Sequence, residues 1–158
     1  MTSLTKKQDI KMFSSVKIQH EEVSYNIPFS NGIGQELTSS EFTGELLKNL
    51  IGNSAQEYVY AFYLDCHLEL IGIAPIALGS STEALVSDKA IFQHALLCNA
   101  DNIIVGHNHP TGKLVFSNND IQTFHRLENA GSFLGIRVLD FFVVSDTSYR
   151  SIREDQQI

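Results

Sequence analysis

Apolar residues recur at helical spacing in "TSSEFTGELLKNLIG", where Phe42, Leu46, Leu47, Leu50 and Ile51 share one face. Thr38 and Glu41 stand at capping-box spacing and Gly52 stands where a helix stops, so the segment predicts a helix. The pattern then changes. "EYVYAFYLD", Glu57 to Asp65, is aromatic and β-branched and predicts a strand; "LELIGIAPIALG" predicts a second one, antiparallel to the first across the short "DCH" turn. Tyr58, Tyr60 and Phe62 alternate as strand packing does, not as a base-stacking platform.

Helical spacing returns in "SDKAIFQHALLCNA", with Ser87 as N-cap and Ile91, Ala95, Leu96 and Ala100 facing inward. "NIIVGHN" predicts a short buried strand. "SNNDIQTFHRLENAG" predicts a helix capped by Ser117 and ended by Gly131, and "GIRVLDFFVVSD" predicts the final strand. Upstream, residues 1–15 read as a polar tail, "VKIQHEEVSYN" as a weakly alternating strand and "NGIGQ" as a loop. An opening helix followed by β-β-α-β-α-β predicts an α/β fold, with a mixed central sheet flanked by helices. The expected organisation is an N-terminal tail with a possible strand over 1–36 and one domain over 37–158.

Composition narrows the function. The 158 residues are 43% hydrophobic and 18% charged, as in one globular domain with a normal core. A formal net charge of −7 argues against a broad electrostatic grip on nucleic acid. Cys66 and Cys98 form neither a disulfide framework nor a CxxC zinc pattern, and read as reduced thiols of a cytoplasmic protein. No apolar run has transmembrane length, and the first residues lack the apolar stretch of a signal peptide, so no membrane partner is expected.

The chemistry concentrates in "IIVGHNHPTGKLVFSNND", Ile103 to Asp120. An apolar strand here ends in two histidines one residue apart. Residues i and i+2 of a strand point to the same side, about 7 Å apart at Cα, so His107 and His109 can aim ring nitrogens at one point. Neutral imidazole is a usual zinc ligand, and a zinc site that does chemistry keeps three protein ligands and one open position. Asp120 is the natural third ligand. Pro110 and Gly112 turn the chain, and Asp120 falls in the first turn of the following helix. Taken alone, Ser117 to Asp120 is an ordinary capping-box variant, with an acidic residue favoured by the macrodipole. The combination of paired histidines, a Pro/Gly turn and this cap points to a metal. His20, His67, His94 and His125 read as structural or solvated.

"HNHPTG" and, after seven residues between His109 and Ser117, "SNND" resemble the JAMM signature HxHPxG…SxxD of the JAB/MPN metallopeptidase family. "IF..AL..NA..II" upstream and "LENAGSFLGIRVLD" downstream resemble its bacterial RadC-like branch, from about Glu57 onward. The resemblance implies a cytidine-deaminase-like α/β core and one zinc per chain held by His107, His109 and Asp120. It also implies a zinc-bound water activated by a glutamate on an early strand. Glu57 and Glu69 each open a strand; the family pattern matches Glu57, the expected general base. Ser117 would cap its helix and offer its hydroxyl to the developing oxyanion. The implied function is a zinc-dependent peptidase or isopeptidase acting on a peptide or protein. The alternative is a DNA-repair or mobile-element accessory protein that binds a partner without hydrolysis. A closed structural zinc site lacks a fourth ligand at suitable spacing.

The chain also departs from the branch. Leu139-Asp140-Phe141 stands where "LDH" is usual, Asp88-Lys89-Ala90 where "pRe" is usual, and Tyr149 to Ile152 only partly match "ySF". These differences bear on substrate contacts rather than on the proposed ligands.

Overall fold

A computed structural model describes residues 39–78 and 86–155. The expected N-terminal strand and the "NGIGQ" loop lie outside the described residues. Those described form α1 (Ser40–Ile51), β1 (Tyr58–Leu64), β2 (Leu70–Leu78), α2 (Asp88–Leu97), β3 (Asn102–Asn108), α3 (Asn118–Leu134), β4 (Arg137–Val144), β5 (Tyr149–Ser151) and α4 (Ile152–Asp155). The fold is α/β. Five strands form one mixed sheet in the order β2-β1-β3-β4-β5, in which β3 and β4 are parallel and the other pairs antiparallel. α3 supplies the crossover that a parallel pair requires.

Strand alternation sends side chains to two cores. Val59, Ala61, Tyr63, Ile103, Val105 and Phe141 pack with α2 and α3 on one face. Phe62, Leu64, Ile104, Phe142 and Val144 pack with α1 on the other. Covered on both faces, β3 is buried along its whole length, which is why "NIIVGHN" shows no polar alternation. Tyr58 and Tyr60 pack against the α1 side, as strand packing requires. Among the described residues, no helix is long and apolar enough to cross a membrane.

Several local expectations need correction. The α1 cap is Ser39, not Thr38: the Ser39 side chain accepts from the Phe42 N–H. Gly52 does end α1, but with right-handed backbone; glycine fits there because a Cβ would lie 2.3 Å from the Ser145 carbonyl oxygen. On α2, Leu96 is 55% exposed and Phe92 takes the inward place, because the buried stripe follows Ile91 and Ala95. Gly131 is inside α3, not at its end. The helix runs a further turn to Gly135, whose φ of 71° is the left-handed cap glycine favours. Glycine stands at 131 because a Cβ there would meet the Ile136 carbonyl at 2.3 Å. The strand expected to be last is followed by β5 and the short α4.

Candidate metal centre

Three chain segments meet at one end of the sheet. β3 ends there, β1 begins there, and α3 presents its N-terminus to the same corner. In the β1–β3 pair Val59 lies opposite His107, so Glu57 enters two residues before that rung, beside His109. Ser117 caps α3 in a reciprocal box: its Oγ accepts from Asp120 N–H (3.1 Å) and Asp120 Oδ2 accepts from Ser117 N–H (2.7 Å). The cap engages Oδ2 and leaves Oδ1 directed at His107.

The donor atoms converge. His107 Nε2 and His109 Nε2 are 2.9 Å apart. Asp120 Oδ1 is 3.4 Å from His107 Nε2, and Asp120 Oδ2 is 4.0 Å from His109 Nε2. A carboxylate oxygen of Glu57 and one nitrogen from each histidine all lie within 4.8 Å of one another. Tetrahedral zinc with bonds of about 2.0–2.1 Å separates its ligands by roughly 3.3–3.4 Å, within the spread seen here. The tautomers agree with such a use. His109 Nδ1 lies 2.7 Å from the Lys113 carbonyl, which can only accept, so Nδ1 carries the hydrogen and neutral Nε2 presents its lone pair inward. Two imidazole nitrogens this close share either a proton or a cation. The residues therefore fit a zinc ion.

His107 is 2% exposed, and its Nδ1 is buried with no well-formed hydrogen bond, only a backbone contact with Phe142 that favours the protonated ring weakly. Burial pulls its pKa down to about 4; Asp120's negative charge works against that shift and His109 adds to it. A neutral ring is the form that binds metal. Phe141 packs against His107 with ring centroids 5.3 Å apart and touches Phe124 behind it. Where the branch usually has a histidine, this chain has an apolar wall. The cleft above these groups, about 230 Å³, is lined by Glu57, Val59, His107, His109, Ser117, Asp120 and Phe141 among others.

The residues expected from the sequence thus fall in two groups. Glu57, His107, His109, Ser117 and Asp120 share one cleft. Glu69 does not: it sits at the β1–β2 turn, its N–H on Asp65, separated from Glu57 by the length of β1, about 20 Å at the usual strand rise. The Ser117 hydroxyl hydrogen is directed at Asp120 Oδ2 (2.8 Å), so an oxyanion contact requires that bond to open. Two participants were not singled out from the sequence. One is the Lys113 carbonyl, a backbone group with no side-chain signal. The other is Asn108, which stands between the two histidines in HNHPTG, at a variable position of the HxHPxG pattern.

The profile of the RadC-like JAB domain matches residues 37–157. The chain belongs to this family. It is 35% identical over 118 residues to a UPF0758 protein of Finegoldia magna, covering 75% of this chain and 53% of that one. It is 31% identical over 119 residues to a UPF0758 protein of Latilactobacillus sakei, covering 75% and 53%. A UPF0758 protein of Thermotoga maritima is 35% identical over 103 residues, covering 65% and 46%. The chain thus spans about half the length of the curated relatives it matches. JAB domains include hydrolases, and in this RadC-like member two histidines and two carboxylates line one cleft.

Proposed function

We propose that this chain is a zinc-dependent amide hydrolase, a peptidase or isopeptidase acting on a peptide or protein substrate. The observation that carries the reading is the meeting of His107 Nε2, His109 Nε2 and the Asp120 carboxylate with the Glu57 carboxylate in one cleft. His107, His109 and Asp120 hold the zinc, one per chain. Bound there, zinc lowers the pKa of a water toward ~7 and polarises the scissile carbonyl.

The chain's own groups do the rest. Glu57 takes the proton from the attacking water and delivers it to the departing amine nitrogen, so one amide C–N bond breaks as one C–O bond forms. Lys113 and Ser117 hold His109 and Asp120 in their orientations. The Ser117 hydroxyl, turned from Asp120 to the tetrahedral oxygen, donates to the developing charge. Phe141 and Val59 supply a dry floor that strengthens these electrostatic contacts.

A panel of peptide and isopeptide amides tests the reading. Cleavage should stop with chelator, return with added zinc, and vanish in His107→Ala. Cleavage that survives both chelator and His107→Ala contradicts it. Full zinc loading with no cleavage across the panel would favour the partner-binding alternative.

A further inference from the structure

We infer that Asn108, the residue between the two histidines, is a positioning residue that sets Glu57 against the histidine pair; the inference rests on the hydrolase reading above. Asn108 is fully buried and ends β3. Strand alternation turns its side chain to the opposite side from His107. There the carboxamide makes three hydrogen bonds to one short segment. Oδ1 accepts from Tyr58 N–H (2.8 Å), and Nδ2 donates to the carbonyls of Gln56 (2.9 Å) and Ser54 (3.2 Å).

The placement of these bonds matters more than their number. The Gln56 carbonyl belongs to the peptide just before Glu57, and the Tyr58 N–H to the peptide just after it. One carboxamide therefore grips both peptide planes that flank the Glu57 Cα, and so fixes the direction of its Cα–Cβ bond. The β1–β3 pairing itself closes at Val59↔His107, and beyond it the His109 N–H turns to the Val144 carbonyl on β4. The segment from Ser54 to Glu57 is thus tied to β3 through a side chain whose own backbone lies between the two proposed ligands. Displacing Glu57 by about 1 Å is enough to cost on the order of 10²-fold in rate.

Asn108→Asp and Asn108→Ala test this, alone and with Glu57→Gln. Aspartate keeps the size and the acceptor for Tyr58 but sets a carboxylate against two carbonyl oxygens. Asn108→Asp should keep one zinc per chain and leave KM within about threefold, while kcat falls on the order of 10²-fold. In the Glu57→Gln background the same change should cost less than about threefold, because the group it positions is already disabled. A general structural role would cost the same factor in both backgrounds, and that result overturns the inference. A second readout needs no activity. In the metal-free protein, the Tyr58 amide should be protected from hydrogen exchange, and Asn108→Ala should speed its exchange by on the order of 10-fold or more while central β1 amides hold. An unprotected Tyr58 amide in the unaltered chain also overturns it. If the unaltered chain takes no zinc and cleaves nothing, the hydrolase reading fails, and the exchange arm still decides whether Asn108 grips the Glu57 backbone.

Discussion

The two rims of the cleft are held in different ways. On one side, His107, His109, Ser117 and Asp120 come from a single stretch of fourteen positions, and strand geometry, a tight turn and a helix cap place them. On the other, Glu57 arrives from about fifty residues upstream, and the peptides on either side of it bond to the buried Asn108 side chain between the two histidines. The proposed ligand rim is built from local contacts, whereas the rim of the proposed general base depends on tertiary fit. Metal binding and turnover should therefore be separable by substitution, and the expectations below probe that separation.

The largest effect is expected at Glu57. Glu57→Gln should lower hydrolysis by on the order of 10²–10⁴-fold, the usual worth of a positioned acid/base, with fold and zinc retained. An undiminished rate in this variant removes Glu57 from the chemistry and collapses the distinction between the rims.

Next comes the cap. Ser117→Ala removes the hydroxyl that both accepts from the Asp120 N–H and donates to Asp120 Oδ2. Zinc affinity should weaken by roughly 10–100-fold, and stability should drop by about 1 kcal/mol. Competition with a chelating dye and thermal melts read the two effects separately. Unchanged affinity would show that Asp120 does not rely on its cap to face the histidines.

A third test concerns pH. The folded-state pKa of His107, about 4, lies below its ordinary value of 6.5, so the unfolded chain binds the proton more readily. Stability of the metal-free protein attributable to His107 is therefore full above about 6.5 and is lost as pH falls toward 4. Asp140, whose burial raises its carboxyl pKa, acts in the opposite sense. It is common to both proteins when the unaltered chain is compared with His107→Gln, and so cancels. Melting temperatures of the two should converge as pH falls from 7 to 4.5. Parallel curves would mean that His107 is not the group being titrated.

The smallest effect is expected at Glu69. Glu69→Gln should leave rate and zinc content unchanged and shift stability within about ±0.5 kcal/mol. A rate loss there would contradict its position at the far end of β1.

How much of this was legible in the sequence follows the same division. Periodicity and cap residues placed the helices and strands, and the HxH and SxxD spacing brought His107, His109 and Asp120 to one corner, because each depends on neighbours a few residues apart. Legibility failed where long-range contacts decide. Gly131 looks like a stop signal locally, yet glycine stands there, within α3, because a Cβ would meet the Ile136 carbonyl. Leu96 fits the inward spacing on paper, but the sheet lies under Ile91 and Ala95, with Phe92 filling the flank. β5 is three residues long and exists only by pairing with β4, so no local pattern announces it. Choosing Glu57 over Glu69 needed a family pattern as well, since both open strands; the fold separates them by placing only one at the histidine end.

One comparison tests the account most directly. Glu57 and Asp120 both lie near the histidines, and Glu57 is near enough to be a ligand itself. Zinc per chain, measured by elemental analysis of purified Glu57→Gln and Asp120→Asn proteins, decides which carboxylate holds the metal. One zinc is expected in Glu57→Gln and little or none in Asp120→Asn, with both variants folded. Loss of zinc in Glu57→Gln with retention in Asp120→Asn would contradict it, making Glu57 the third ligand and Asp120 only a cap.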